Sequence, residues 1–346
     1  MTTPTPTPVS GETTSSRWRR RAKTVPAMLA ATIVALVILP LAVPFLVIFD
    51  IVRGRRRLPL LRVYGFVLQY LFNDSVEIFL AGPLWILARF GRSLDSERSR
   101  RRHASLQAWS IRTLARRADQ LLGIRVGIDP QSDDQLGRGP AIVISRHVHL
   151  FDSSLPSLLY QRRGCLARGV IMAELLADPG FDLLYQRTGS VFIVRDGAPD
   201  AAERLRPMAE GLDEHTVAVI FPESRLFRPA LLARSLERLA TTNPVRAERL
   251  KGLSHLLPPR PAGLLALTKA SPGADLVVIN HFGFDAVPTF RTLGSDAPLD
   301  LTVRVTATRY PRSEIPSSDV EFIAWLDAIW CEMDAELARD NAARRS

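Results

Sequence analysis

The apolar positions of the chain follow two different patterns. Residues 25–49 and 60–90 are almost continuously apolar, whereas from about residue 104 short apolar runs alternate with amphipathic stretches. The short runs predict buried strands near 141–145, 168–172, 190–194, 216–221, 276–280 and 301–307. The amphipathic stretches predict helices near 104–122, 152–160, 200–213, 230–241 and 262–270. This alternation predicts an α/β fold with a mostly parallel sheet flanked by helices.

A further amphipathic helix is predicted near the end of the chain. Ser318 and Glu321 have the spacing of a capping box at a helix start. An apolar stripe follows at helical spacing and comprises Phe322, Trp325, Leu326, Ile329, Trp330, Met333 and Leu337. Core packing is the simplest explanation of the stripe, and binding of a partner is the alternative.

The first apolar segment, residues 25–49, is long enough for the ~20 residues that a membrane-spanning helix needs. It is interrupted by three prolines and by Thr32. A signal peptide is the alternative, but no small-residue cleavage site closes the run, and the basic residues 53–57 follow it. A retained membrane segment is therefore the expectation.

The second apolar segment, residues 60–90, contains Asn73, Asp74 and Glu77 near its middle. An ionised carboxylate at the centre of a bilayer costs at least ~2.5 kcal/mol, which favours two half-depth helices or an interfacial helix. We expect residues 25–91 to form a membrane anchor of one or two apolar helices or a hairpin, with both ends on the cytoplasmic side. A disordered basic N-terminus, residues 1–24, precedes it, and the α/β domain, residues 92–346, follows.

Positive charge is concentrated beside these apolar segments. Residues 1–103 contain 16 Lys or Arg and six Asp or Glu, whereas the rest of the chain contains 29 of each kind. Basic residues in this position suit anionic lipid headgroups. A nucleic-acid surface would need basic residues with interleaved aromatics on the folded domain, and no such pattern is present in the sequence. The two cysteines, Cys165 and Cys331, form no metal-ligand pattern and indicate no disulfide framework.

Two residues that could act in catalysis follow the apolar run 141–144. His147 and Asp152 stand five positions apart, between the predicted strand end and a predicted helix start. A carboxylate that orients a histidine leaves the other ring nitrogen free to take a proton from a hydroxyl. His149 is a second candidate base, and a purely structural histidine at a strand end is the other interpretation.

Two further motifs follow in order. Residues 189–195 read G-S-V-F-I-V-R, and residues 221–225 read F-P-E-S-R. With the H-x4-D spacing of residues 147–152, they resemble the glycerolipid acyltransferases, the family of lysophosphatidic acid acyltransferases. That family shows H-x4-D, G-x-x-F-I-x-R and F-P-E-G-T-R in this order. The resemblance covers roughly residues 104–310, and a preceding membrane anchor is common in the family.

The resemblance implies a role for each matched residue. His147 would be the general base, and Asp152 would orient it. Arg195 would bind the phosphate of the acceptor, for which a planar and always charged guanidinium is well suited. Glu223 would organise the acceptor site together with the adjacent Arg225. An ordinary surface ion pair for Arg195 and a loop cap for Glu223 are the alternatives.

The sequence departs from the family pattern at several positions. Arg146 stands where the family usually has Asn, and it offers a second contact to a phosphate or headgroup. Ser224 replaces a glycine and removes a permissive backbone position from the turn. Arg225 and Leu226 replace Thr and Arg, so that the guanidinium would come from Arg225 or from Arg228. The residues expected to bind the acceptor are Arg146, Gly189, Arg195, Glu223, Ser224 and Arg225.

The resemblance implies a membrane-bound O-acyltransferase of phospholipid biosynthesis. Its donor would be acyl-CoA or acyl carrier protein, and its acceptor the hydroxyl of a lysophospholipid, by default lysophosphatidate, giving phosphatidate. Membrane phospholipids are the expected partners, no nucleic acid is expected, and no metal or bound cofactor is implied. The expected location is a bacterial cell membrane, with the active site facing the cytoplasm. A different lyso-acceptor or glycolipid, or a catalytically silent lipid-binding protein on the same fold, are the alternatives.

Overall fold

The computed structural model describes residues 12–94, 96–194, 202–287 and 290–345. The chain divides into two compact units. The first unit comprises residues 1–126, 168–198 and 286–302, and the second comprises residues 127–167, 199–285 and 303–346.

Four helices come first, and strands interspersed with helices follow them. The α-helices of the described residues are α1 (Thr14–Val37), α2 (Leu39–Val52), α3 (Pro59–Leu87), α4 (Glu97–Arg117), α5 (Pro130–Leu136), α6 (Leu155–Gln161), α7 (Arg206–Ala209), α8 (Pro229–Thr242), α9 (Pro244–Leu250), α10 (Pro261–Ala270), α11 (Phe290–Asp296) and α12 (Asp319–Arg345). The strands are β1 (Ile124–Ile128), β2 (Ala141–Ser145), β3 (Leu166–Met172), β4 (Val191–Ile193), β5 (Thr216–Ile220), β6 (Asp275–Phe282) and β7 (Leu301–Tyr310). The six predicted strands are present, and β1 was missed because an arginine and a glycine interrupt its apolar pattern.

The second unit is built around β2, which lies between β5 and β6 and is parallel to both. Val143 is aligned with Val219 on β5 and with Val277 on β6. β7 pairs with β6 in the antiparallel direction, with Ile279 opposite Ala307. β2 and β5 are buried along their whole length, which explains their uninterrupted apolar sequences. The predicted α/β class with a mostly parallel sheet flanked by helices is therefore confirmed.

The last helix, α12, contacts β6 and α10 in the second unit. The hydroxyl oxygen of Ser318 accepts the backbone N–H of Glu321 at 3.5 Å, as expected for the predicted helix start. Phe322, Leu326 and Trp330 are each at most 1% exposed. The predicted apolar stripe therefore packs into the core.

The first unit contains the long helices α1 to α4. Thr13 caps the start of α1 with its side chain, and Arg21 pairs with the buried Asp182 at 2.9 Å. Residues 14–24, for which disorder was expected, are therefore helical. A cap and an ion pair with a distant residue stabilise this short basic stretch, and its composition alone does not reveal either contact.

No helix of the described residues is by itself both long and apolar enough to cross a membrane. α1 and α2 meet these criteria together, but a bend of 64° separates them. The break lies at Ile38, just before Pro40, which lacks the N–H that would continue the helix. The predicted membrane anchor of one or two helices or a hairpin therefore stays a prediction.

The second apolar segment forms one helix, α3, and its polar middle is buried. The side-chain amide of Asn73 donates to the carbonyl oxygen of Ser110 on α4 at 3.1 Å. Asp74 and Glu77 are 5% and 4% exposed. A Cβ on Gly180 would collide with a carboxylate oxygen of each of them, which accounts for glycine at this close approach. The polar residues that interrupt the apolar pattern thus mediate packing within this unit.

Candidate active site

The strand order brings three separate parts of the sequence to one edge of the sheet in the second unit. Because β2, β5 and β6 are parallel, their carboxyl ends lie at the same edge. His147 follows β2, Glu223 follows β5, and His281 is the penultimate residue of β6. Ligands bind at this edge in open α/β sheets.

The imidazole of His147 is held by the carboxylate of Asp152. Its Nδ1 lies 2.5 Å from Oδ1 of Asp152, so the partner places the proton on Nδ1. The other carboxylate oxygen accepts the backbone N–H groups of Val148, at 2.6 Å, and His149, at 2.8 Å. Asp152 is fully buried, and the His147 side chain is 18% exposed. Nε2 of His147 has no hydrogen-bond partner among the described residues and can accept a proton from a hydroxyl.

A short 3-10 turn, Leu150–Ser154, returns Asp152 toward His147. His149 caps this turn, because its Nδ1 accepts the N–H of Phe151 at 3.3 Å. The carboxylate of Asp152 thus binds the ring of His147 and the backbone of His149. In this arrangement the imidazole of His149 acts as the N-terminal cap of the 3-10 turn.

Glu223 connects the third motif to the first. Its Oε2 accepts the backbone N–H of His147 at 2.6 Å, and its Oε1 accepts the N–H of Leu257 at 2.8 Å. Burial raises the pKa of Glu223 to about 8, although both N–H donors act in the opposite direction. The ring of Phe221 lies 4.7 Å from that of His147, centroid to centroid. Glu223 therefore holds the backbone of the candidate base.

A second group of side chains lies next to Asp152, in which Arg146 and His281 are buried and Asp285 is partly exposed. Arg146, 1% exposed, forms a two-pronged ion pair with Asp285 and donates to the carbonyl oxygen of His281 at 3.0 Å. Nε2 of His281 lies 3.3 Å from the carbonyl oxygen of Arg146 and 3.7 Å from Oδ2 of Asp152. The contact of Arg146 with an acceptor phosphate stays a prediction, and Asp285 would compete for the same guanidinium.

Burial and charge determine the protonation states of this group. Burial lowers the pKa of His281 to about 4, and the nearby Arg146 guanidinium acts in the same direction. For Asp285, burial opposes ionisation, but the guanidinium of Arg146 outweighs it and lowers the pKa. His281 is therefore neutral at physiological pH and is suited to donate a hydrogen bond from Nε2.

The turn after β5 contains the departures from the family pattern. Ser224 has a φ of 58°, in the left-handed region that favours glycine. Its N–H donates to the carbonyl oxygen of Phe221 at 3.0 Å and closes the turn. The backbone therefore keeps the conformation that a glycine would adopt at low cost. Arg225, the next residue, is exposed.

Two of the predicted acceptor-binding residues do not belong to the described part of the second unit. Arg195 lies outside the described residues. Gly189 belongs to the first unit, where its φ is 90° and a Cβ would approach Cδ of Arg168 to 3.1 Å. Their proposed roles stay predictions.

The sequence did not reveal Asp285 as part of this site, and it gave no specific role to His281 or Leu257. His281 could have been found, because it ends the apolar run of a predicted parallel strand, where functional residues gather. Asp285 belongs to the 3-10 turn Phe284–Ala286 and Leu257 to a loop, and only tertiary contacts bring them to Arg146 and Glu223.

The candidate base, its orienting carboxylate and the F-P-E turn all lie within residues 127–261, which match the family model described as Acyltransferase. Residues 127–261 therefore form a domain of the acyltransferase family. The family resemblance predicted from the three motifs is thus confirmed. The chain is also similar to the crystal structure of the 1-acyl-sn-glycerophosphate (LPA) acyltransferase PlsC from Thermotoga maritima, with 17% identity over 80% of this chain and 98% of that chain and a TM-score of 0.49. Among curated proteins, no sequence matches this chain.

Proposed function

We propose that this acyltransferase moves a fatty acyl group from acyl-CoA or acyl carrier protein to the hydroxyl of a lysophospholipid, with His147 as the general base. Lysophosphatidate, giving phosphatidate, is the default acceptor. The observation that supports this proposal most directly is the 2.5 Å contact between Nδ1 of His147 and the buried Asp152. This contact orients the ring and stabilises the imidazolium that forms when Nε2 takes a proton.

The chemical step uses the hydroxyl of the acceptor as the nucleophile. Nε2 of His147 takes the hydroxyl proton while the oxygen attacks the thioester carbonyl carbon. A tetrahedral intermediate forms, and its collapse breaks the C–S bond. The imidazolium then returns the proton to the departing thiolate, so that an ester and a free thiol are released. No metal or bound cofactor takes part in this proposal.

The acceptor phosphate would be held by arginines outside the buried group around Arg146. Arg225 is exposed directly after the Glu223 turn, and Arg195 ends the second motif. Arg225→Gln should raise KM for lysophosphatidate while leaving KM for an acceptor without phosphate unchanged. Equal activity of the wild-type chain on acceptors with and without phosphate would instead favour a different lyso-acceptor or a glycolipid.

Exposed apolar side chains and a nearby cluster of arginines in the first unit support a membrane location. Large side chains on the bent pair α1 and α2 are exposed, including Leu41 at 77%, Phe45 at 66% and Val52 at 79%. A cavity of about 310 Å³ directly after α2 is lined by Arg56, Arg57, Leu58, Leu61, Arg62 and Leu121. Apolar side chains beside a cluster of arginines match the acyl and headgroup regions of an anionic membrane surface.

The membrane arrangement can be tested by labelling engineered cysteines at positions 20 and 55, after replacement of both native cysteines. If α1 and α2 enter and leave the same face, an impermeant maleimide should label both positions from one side of a sealed vesicle. Labelling from opposite sides would show a full span and would contradict the proposed anchor.

The catalytic proposal is tested by His147→Ala in the full chain, assayed with acyl-CoA and a panel of lyso-acceptors. We expect the rate to fall at least ~10²-fold, the lower range for a lost general base, while the chain still folds and reaches the membrane. His215→Ala is the matched control, since His215 is a partly exposed histidine of the same unit that contacts Glu214 and Arg138, away from Asp152. Retained activity in His147→Ala would make the mechanism wrong, and a wild-type chain inactive on every acceptor would favour the silent lipid-binding protein.

A further inference from the structure

The carboxylate of Asp334 on α12 binds one loop through an unusual number of donors. It is 4% exposed and accepts three consecutive backbone N–H groups. These belong to Ser254 at 3.0 Å, His255 at 2.7 Å and Leu256 at 2.9 Å, and the hydroxyl of Ser254 also donates at 3.0 Å. Successive N–H groups that converge on one carboxylate fix the conformation of the backbone that carries them. The loop from Ser254 to Leu256 is therefore shaped by α12.

The next residue, Leu257, is held from both sides. Its carbonyl oxygen accepts Nε1–H of Trp330 at 2.9 Å, and its N–H donates to Oε1 of Glu223 at 2.8 Å. Trp330 is fully buried and lies four residues before Asp334, on the same face of α12. One face of α12 thus determines where the N–H of Leu257 points.

Glu223 transmits this constraint to the candidate base. Its second carboxylate oxygen accepts the N–H of His147 at 2.6 Å, and the residue is 3% exposed. Hydrogen bonds joined by the backbone of the loop Ser254–Leu257 therefore lead from α12 to the backbone of the residue that would deprotonate the acceptor. α12 lies outside residues 127–261, to which the family match is confined.

We propose that Asp334 is a positioning residue for acyl transfer, acting through the loop Ser254–Leu257 and Glu223 on the backbone of His147. We call this series of contacts the α12 relay. The test of this inference by enzyme kinetics rests on the proposed function, whereas its test by NMR spectroscopy does not. It predicts that a change at Asp334 alters the environment of His147 without touching it.

The test compares Asp334→Asn with two controls in the purified full chain. The amide retains a single acceptor oxygen and turns an NH₂ group toward the N–H and O–H of Ser254, so the loop loses part of its anchorage. Asp340→Asn is the chemical control, because this carboxylate on the same helix pairs with Arg304 on β7 instead of the loop. Met333→Ala is the stability control, because it truncates a buried core residue next to Asp334.

For Asp334→Asn we expect kcat to fall about tenfold with KM within about threefold, since the loss concerns orientation in the transition state. Both controls should keep kcat within about twofold at a temperature where every variant is folded, even if Met333→Ala lowers Tm more. The double variant Asp334→Asn with Glu223→Gln should be about as slow as Glu223→Gln alone, because the relay acts through Glu223. A multiplicative loss, or a kcat for Asp334→Asn within about twofold of the wild type, would overturn the relay.

A structural readout separates this inference from the proposed function. In ¹H–¹⁵N spectra of the deuterated chain, the amide proton of His147 should be strongly downfield because of its short 2.6 Å bond to Oε2 of Glu223. It should move upfield in Asp334→Asn and in the milder Trp330→Phe, and stay in place in Asp340→Asn. If the proton moves but the wild-type chain transfers no acyl group, the proposed function fails and the relay stands. If acyl transfer is present and the proton stays in place, the relay is wrong.

Discussion

The backbone N–H of His147 donates to Oε2 of Glu223 at 2.6 Å, although 76 residues of sequence separate the two. Asp152 holds the ring of the same histidine at 2.5 Å. The carboxyl group of Glu223 therefore constrains the backbone of the candidate base, and the carboxylate of Asp152 constrains its imidazole. Because the two contacts act on different parts of one residue, their removal should have different consequences.

Replacement of Asp152 should affect catalysis most directly. Its two oxygens accept the Nδ1 proton of His147 and the N–H groups of Val148 and His149. Asp152→Asn offers one acceptor oxygen and an NH₂ group that faces a donor, so the ring loses its orientation and its counter-charge. We expect kcat to fall by about 10²- to 10⁴-fold, measured as release of free thiol. The exposed Asp300→Asn is the control, and a kcat for Asp152→Asn within about threefold of the wild type would contradict the assignment.

The raised pKa of Glu223 should make the folded chain less stable as the pH rises. Burial raises its pKa in the folded chain to about 8 from an ordinary value of 4.5. The folded chain therefore keeps a proton that the unfolded chain releases between these values. The stabilisation is full below about pH 4.5 and is lost as the pH rises through about 8.

Glu223→Gln cannot ionise and lacks this contribution. The difference in Tm between the wild type and Glu223→Gln should therefore shrink from pH 5 to pH 8.5, as followed by circular dichroism. A difference that stays constant or grows over this range would show that the carboxyl group of Glu223 is ionised in the folded chain at neutral pH.

The buried imidazole of His281 should make the stability of the folded chain change with pH in the direction opposite to that of Glu223. Burial lowers the pKa of His281 in the folded chain to about 4 from 6.5, so between these values the unfolded chain binds a proton that the buried ring does not. Its contribution to stability is present above about pH 6.5 and is lost as the pH falls toward 4. The Tm difference between the wild type and His281→Gln should rise from pH 4 to 6.5 and level off above. A flat profile would mean that His281 is accessible to protons in the folded chain.

Ser224 carries backbone strain that a glycine would relieve. A non-glycine residue in the left-handed region costs about 1–2 kcal/mol, and Ser224 has a φ of 58°. Ser224→Gly should leave the free energy of unfolding unchanged or raise it by up to about 1 kcal/mol, because the flexibility of glycine in the unfolded chain offsets part of the gain. Ser224→Val, with a β-branched side chain, should lower it by about 1–3 kcal/mol. Equal urea-unfolding curves for the two variants would show that the turn relaxes to a different φ.

Much of the fold could be predicted from periodicity. The six predicted strands and the stripe of α12 were recognisable because their burial imposes a repeating apolar pattern. β1 was missed because Arg125 and Gly127 interrupt that pattern. The helical state of residues 14–24 was missed because it depends on Asp182, which lies more than 150 residues away. Local composition contains no information about such a partner.

The candidate site, like the fold, has one part that could be predicted from the sequence and another that could not. His147 and Asp152 are five positions apart, so their sequence spacing and one turn suffice to bring them together, and the three motifs identified the family. The contacts of Glu223 with His147 and Leu257, and of Arg146 with Asp285, depend on strand order and loop packing. The sequence by itself therefore determined which residue is the candidate base and what orients it. Only the tertiary structure decided what holds that base in place, because hydrogen bonds between distant segments depend on distance in space and leave no periodic trace along the chain.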